Sequence, residues 1–407
     1  MHLLDDNCYA DGPGANVNAP KNARTDFPSR FGAMWNALKA VGIPNMLICQ
    51  WGVPYTSPSG RLLGPLDWTS GISTSFRLSD DIANNWGSVV RIINQAGHIS
   101  RSGRTSTSFV ADADLLHVGN RVLTIPEQET HFSFWAMSKS SLMISTSVPG
   151  ASSDTVRILQ NRDLIAINQD DLGKPVTLVQ RWTNDRDLYD GPLSNGNRAV
   201  LAINWQTNSR SLTVNFSSLN ITRADVKDLW TGATQSGVSS YTATVGAHGS
   251  LALRLSNVVT STPGGSITYY EAERGALAAG ANTQSCSGCS GSSKVGNIGK
   301  SNGASLTLSG ITATAATSTV VFDHVNGDIG WLGGTNYNAR SATVSVNGGT
   351  GVAVSFPISG YDWAWDVWRG FRVELSGWRV ASNNTLTIRA GSDTDWAPDF
   401  DRIGVIV

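Results

Sequence analysis

Phe109-Val110-Ala111-Asp112-Ala113-Asp114 decides the fold class of this chain. The apolar run is too short for a helix, is not alternating, and ends in acids. A helix then opens at Thr124-Ile125-Pro126-Glu127, a capping box with proline near the helix start. A short two-sided strand followed by a helix is the unit of a parallel sheet covered on both faces. Working outward, similar runs occur at His2–Leu4, Met46–Cys49, Leu142–Ile144 and Leu164–Ile167. Between them Phe31, Met34, Trp35, Leu38 and Val41 share one helical face, ended by Gly42 and Pro44. Ile82, Trp86, Val89 and Ile93 form another such face before Gly97. Five β/α steps in succession predict a barrel or a doubly wound sheet over residues 1–175.

From residue 176 the period changes to two. Val176–Trp182, Ala199–Trp205, Ser211–Phe216 and Leu251–Leu255 are strand-like and separated by Asn, Gly and Ser turns, which predicts an antiparallel β-sandwich over 176–256. Residues 257–266 contain Thr-Ser-Thr-Pro-Gly-Gly and have the composition of a linker. Residues 267–407 are again β-patterned and are expected to fold as a separate module. They hold Trp331, Trp363, Trp365, Trp368, Trp378 and Trp396.

Composition excludes several functions. Lys+Arg 30 against Asp+Glu 31 leaves no excess charge for nucleic acid or an anionic membrane. No apolar run approaches the ~20 residues of a membrane span, and the first residues lack a signal pattern. Of the cysteines Cys8, Cys49, Cys286 and Cys289, only the last two are close, in Cys-Ser-Gly-Cys. With no second pair to complete a zinc site, a local Cys286–Cys289 disulfide is expected. Sequons at Asn215, Asn220 and Asn383 are compatible with secretion.

In a barrel the chemistry sits at the C-terminal strand ends. Those ends carry Asp6, Gln50-Trp51, Asp112 with Asp114, and Asn168-Gln169-Asp170, while Arg77 and Asp81 fall in a long loop after Cys49. A retaining glycosidase needs two carboxyl groups ~5–5.5 Å apart, and spacing alone does not choose among these acids. Asp80 or Asp81 also suits the cap of a helix starting at Ile82. Cys49 suits buried filler, and His131 and His248 suit packing.

Further segments narrow the choice. Leu4-Asp5-Asp6-Asn7-Cys8-Tyr9, Ile48-Cys49-Gln50-Trp51-Gly52, Arg77 followed by Asp81, Asp112-Ala113-Asp114-Leu115-Leu116, and Ile167-Asn168-Gln169-Asp170 occur in this order. Together they resemble the family 27 glycoside hydrolases, the α-galactosidases, and Asp228-Leu229-Trp230 and Ala247-His248-Gly249 extend the likeness through the sandwich. The resemblance implies a partial (β/α)8 TIM barrel containing strands four to eight. It implies Asp6 as nucleophile, Asp81 as acid/base, sugar contacts from Cys8, Gln50, Trp51 and Arg77, and a supporting role for Asp112 and Asp114. It also implies hydrolysis of terminal α-D-galactosyl groups on oligo- or polysaccharides, no catalytic cofactor, and an extracellular setting. The chain departs from the family pattern at Leu4 (a lysine there), Asp5 (an aromatic) and Gln50 (Asn or Glu). Its alternatives are a β-L-arabinopyranosidase-type activity and a non-catalytic carbohydrate-binding remnant.

Tyr270-Glu271-Ala272-Glu273, Val344–Gly349 and Trp396-Ala397-Pro398-Asp399-Phe400-Asp401 resemble a β-sandwich (jelly-roll) carbohydrate-binding module of family 35, or the neighbouring family 6. Two glutamates on one strand face with Asp401 would supply hard oxygen ligands for a structural calcium. Trp331 and Trp396, flanked by Gly, Asp and Pro, are the expected sugar platforms. Tyr361, Trp363 and Trp365 are expected on one strand face.

Overall fold

The computed structural model describes residues 25–43, 45–52, 54–182, 185–262, 264–329, 337–381 and 383–407, and the backbone of 2–5. Four parallel strands, β1 (His2–Asp5), β2 (Met46–Cys49), β3 (Ser75–Arg77) and β4 (Val110–Asp112), form one sheet in that order. Their register aligns Leu4, Ile48, Phe76 and Ala111 in one row, and Arg77 beside Asp112 one residue later. Helix α1 (Phe27–Ala40) follows β1, with Phe27 and Phe31 buried but Met34 and Val41 exposed. Helix α2 (Trp86–Arg101) joins β3 to β4 and turns Val89, Ile92, Ile93, Ala96 and Ile99 inward. Helix α3 (Ile125–Met137) has the expected capping box: Thr124 N–H donates to Glu127 Oε2 at 2.8 Å, and Thr124 Oγ1 accepts from Glu127 N–H. A cap of this kind contributes ~1 kcal/mol.

Several sequence expectations are corrected here. Arg77 ends strand β3 rather than lying in a loop. Helix α2 starts at Trp86, capped by Asn85 accepting from Ser88 N–H at 2.9 Å, so neither Asp80 nor Asp81 caps it. Leu142–Ile144 contributes only an isolated parallel bridge, Leu116 to Ile144. After α4 (Ser153–Leu159), Leu164–Ile167 lies inside α5 (Arg162–Asn168), capped by Asn161. A four-residue apolar run fits either period, and here Leu164 and Ile167, three apart, bury together on a helical face.

The sandwich contains β5 (Thr177–Trp182), β6 (Arg186–Pro192), β7 (Arg198–Asn204), β8 (Arg210–Asn215), β9 (Ile221–Asp228), β10 (Thr234–Val238), β11 (Ser240–Val245) and β12 (Ser250–Thr260). Strands β8 and β11 pair apart from the rest, and Leu188, Val200, Leu212, Val214, Phe216 and Leu253 fill the space between the sheets. Strand β12 continues through the expected linker as far as Thr260, pairing Val259 with Arg223.

The C-terminal region adds β13 (Ile267–Glu271), β14 (Ala276–Ala278), β15 (Asn282–Ser285), β16 (Ser293–Gly296), β17 (Ser305–Ile311), β18 (Thr317–Val325), β19 (Ala339–Val346), β20 (Val352–Pro357), β21 (Trp368–Ser376), β22 (Asn384–Ala390) and β23 (Asp399–Ile406). One of its sheets runs β14-β17-β22-β19-β20. The other joins the sandwich where Val373 of β21 pairs with Arg181 of β5. The region therefore does not stand apart. Asn338 Nδ2 donates to Arg91 O and Gln95 Oε1, Asn94 Nδ2 donates to Tyr337 O, and Trp368 packs on α2 at Gly97. A Cβ at Gly97 would lie 2.7 Å from the Trp368 ring, so the close approach requires glycine. Tyr361, Trp363 and Trp365 lie in a turn rather than a strand, with Tyr361 buried and Trp365 exposed. Among the described residues no helix is long and apolar enough to cross a membrane.

Candidate active site and carbohydrate module

Arg77 is the centre of the strand-end cluster. Its Nε donates to Asp112 Oδ2 at 3.0 Å, and its Nη1 meets Asp114 Oδ2 at 2.8 Å and Asp81 Oδ1 at 3.3 Å. The register puts Arg77 and Asp112 side by side, which explains the first contact. Asp114 reaches back because its backbone is left-handed, φ 75°. Its Oδ2 also accepts from Ile82 N–H at 2.9 Å, tying down the segment that carries Asp81. Burial lowers the Arg77 pKa, but Asp114, Cys49 and Asp112 outweigh it and leave the guanidinium above its ordinary value. Burial raises the Asp112 carboxyl against the pull of Arg77. Asp112 and Asp114 are buried, while the Asp81 side chain is 71% exposed. One cation facing three carboxylates leaves a net charge of about −2 if all are ionised, a field suited to a positively charged transition state.

Gln50 follows β2 and is fully buried, with neither side-chain oxygen nor nitrogen hydrogen-bonded. A buried unpaired amide calls for a polar partner, and a sugar hydroxyl is one. Trp51 is buried beside it, its carbonyl accepting from the Tyr361 hydroxyl at 2.6 Å. Asp80 pairs instead with buried Arg91 and points away from this role. His131 Nε2 accepts from His117 N–H at 3.0 Å, and His248 pairs with Glu127. Asp6 and Cys8 lie outside the described residues, with Asp6 next in sequence after β1.

In the C-terminal region the Cys286–Cys289 disulfide is formed as expected. Glu271 ends β13, but Glu273 lies in a single 3₁₀ turn rather than on the strand. Ser290 links two of the acids: its Oγ donates to Glu271 Oε1 at 3.0 Å and its N–H to Asp401 Oδ1 at 2.9 Å. Asp401 Oδ2 also meets Arg369 Nη1 at 3.2 Å. Burial, the largest influence, pushes the Asp401 carboxyl up to about 6. Glu271 Oε2 and Glu273 Oε2 are buried without partners, which fits hard-cation chemistry. Among the described residues, however, no three such groups are gathered closely enough to hold an ion as they stand.

Trp396 is 41% exposed and shares a cleft of about 300 Å³ with Trp363, Lys294, Arg340, Gln284 and Asp399. Trp331 lies outside the described residues. Sequence reasoning missed Trp363 as a cleft residue. Its flanking Gly360, Asp362 and Asp366 were the available turn signal. It also missed the Tyr361 contact with Trp51, which crosses 310 positions and leaves no local trace.

Residues 14–170 match the family model described as alpha galactosidase A, and residues 183–255 match the alpha galactosidase C-terminal beta sandwich domain. These regions are similar to the alpha-galactosidase family. Probable alpha-galactosidase D of Aspergillus niger is 35% identical over 263 residues, covering 63% of this chain and 38% of that protein. The Aspergillus flavus protein of the same name is 28% identical over 522 residues, covering 99% of this chain and 77% of its own. Among solved structures, alpha-galactosidase I from Mortierella vinacea superposes with a TM-score of 0.52 and 28% identity, over 58% of this chain and 64% of that one. The chain thus spans less than two thirds of the A. niger protein and of the Mortierella structure. The likeness supports the general fold, an α/β region followed by a β-sandwich.

Proposed function

We propose that the chain is a retaining α-galactosidase-type glycoside hydrolase acting on terminal α-D-galactosyl residues of oligo- and polysaccharides. Asp6 attacks the anomeric carbon as the glycosidic C–O bond breaks, and Asp81 gives its proton to the leaving oxygen. Asp81 then removes a proton from water, which displaces Asp6 and restores the original anomeric configuration. Gln50, Trp51, Arg77 and Cys8 contact the sugar in this reading. The observation that carries it is the clamp on Arg77: two buried aspartates fix the guanidinium, which holds an otherwise exposed Asp81 at 3.3 Å. An acid/base needs that combination of fixed position and open access. No catalytic cofactor enters the mechanism.

The C-terminal region is proposed as a carbohydrate-binding module using Trp396 and Trp363. Glu271, Glu273 and Asp401 would hold calcium once the ion draws the unpaired oxygens together. An extracellular setting accompanies this reading.

The test is turnover of aryl α-galactosides by Asp6→Asn and Asp81→Asn. The first should abolish turnover. The second should impair poor leaving groups far more than activated ones, because protonation matters most there. Equal losses on both substrates would remove Asp81 from the acid role. Faster cleavage of an aryl β-L-arabinopyranoside would reassign the sugar, and turnover of neither would favour a non-catalytic binding protein.

A further inference from the structure

A second cleft, of about 480 Å³, lies between the sandwich and the C-terminal region, away from the Arg77 cluster. Its charged walls are Arg101, Arg198, Arg372 and Asp190. Asp190 is already engaged, since Arg198 Nε donates to its Oδ1 at 3.1 Å and Arg198 Nη2 meets its Oδ2. Asp323, the buried acid whose charge reaches Arg101, is also engaged. It accepts from Arg402 Nε at 2.8 Å and Gly370 N–H at 2.7 Å, and meets Arg369 at 3.4 Å. Among the described residues Arg101 donates to the Arg369 carbonyl, and it lies over the Trp368 ring. Arg372 has no carboxylate partner among the described residues. Three guanidinium groups thus face one carboxylate, leaving two positive charges in a confined space.

The floor is also ordered. Strand register sets Arg372, Val321, Gly404 and Tyr269 in one row across the sheet. Gly404 lets the Tyr269 ring lie against the sheet, because a Cβ there would sit 3.0 Å from the ring. Arg402 covers the Tyr269 ring at 4.0 Å and holds it in place. Asn220 contributes an amide to the rim. Guanidinium groups without a carboxylate partner among the described residues, beside an aromatic ring and an amide, suit an anionic group on a sugar ring.

We propose that this cleft, through Arg101 and Arg372, binds an oxyanion of the carboxylate or sulfate type carried by an acidic sugar. Burial lowers the Arg101 pKa, Asp323 opposes the shift, and Arg372 adds to it, as two cations sharing one cleft should.

The test is calorimetric titration of the full chain at fixed ionic strength with D-galacturonate, galactose and inorganic sulfate. Arg372→Gln and Arg372→Lys serve as the variants. Galacturonate should bind, and Arg372→Gln should weaken it ~10-fold, the usual worth of one charge-assisted hydrogen bond. Arg372→Lys should retain most of the affinity, and aryl galactoside turnover should be unchanged in both variants. Sulfate binding as tightly as galacturonate would assign the site to the anion alone and overturn the sugar part. Absence of binding by both anions, or equal affinity in Arg372→Gln, would overturn the site. Because the readout is anion binding, its failure is separate from failure of the galactosidase reading.

Discussion

Asp114→Asn is the most direct test of the clamp on Arg77. Asparagine tolerates the left-handed backbone at this position, so conformational strain does not enter. Asp114 accepts two hydrogen bonds, from Ile82 N–H at 2.9 Å and Leu115 N–H at 2.7 Å, and its Oδ2 pairs with Arg77 Nη1 at 2.8 Å. An amide has one acceptor oxygen, and its NH₂ must face a donor. If the oxygen stays with Arg77 and Ile82, the NH₂ opposes Leu115 N–H. The change removes a charge from a buried ion pair and strands a donor, about 2–4 kcal/mol in total. The melting temperature should fall by about 4 °C or more, at roughly 2 °C per kcal/mol. The Asp81 segment also loses its anchor at Ile82, and kcat on an aryl α-galactoside should fall ~10–100-fold. Calorimetry and steady-state kinetics on the same preparation provide both readouts. A stability change under about 0.5 kcal/mol with unaltered kcat and KM would show that Asp114 positions nothing.

His131 and His324 are fully buried, and burial holds each pKa down to about 3. Because the folded pKa lies below the unfolded value, stability is present above pH ~6.5 and is lost as pH falls toward 3. The loss is about 2 kcal/mol per histidine by pH 5, and an imidazole resonance of either titrating near 6.5 would contradict this. Gly97→Ala gains up to ~1 kcal/mol of helix propensity but forces a methyl against Trp368, so a net loss of up to ~2 kcal/mol is expected by thermal unfolding. Chelation should lower the melting temperature of the wild-type chain, since bound calcium at 100 Kd contributes ~2.7 kcal/mol. Glu271→Ala or Asp401→Ala should erase that response, and an unchanged wild-type melting temperature would remove calcium from the molecule.

What the sequence disclosed follows from how local each signal was. The capping box at Thr124 and Glu127 and the Cys286–Cys289 disulfide depend on residues three apart, and both formed as expected. The apolar runs at Met46 and Val110 form strands as expected, each packed in the parallel sheet. Leu164–Ile167 was misassigned because Asn161, the cap that decides it, lies outside the apolar run. Strand β3 escaped notice because Ser75-Phe76-Arg77 has a single apolar residue, and its burial comes from neighbours on both sides. The Arg77 cluster was named residue by residue from resemblance. The left-handed turn at Asp114 and the three-way sharing of its carboxylate appear only in three dimensions.

The seat of Trp368 on Gly97 also has a consequence in time. During synthesis at ~5–20 residues per second, Trp368 is added roughly 15–55 s after Gly97. Helix α2 therefore waits, with its docking face bare, for a partner that has not yet been made. The segment that carries the parallel sheet must either be sheltered during that interval or acquire its final packing only after release. For this chain, slow decoding or a stop before Trp368 would leave helix α2 without its partner at Gly97, far from the point of interruption.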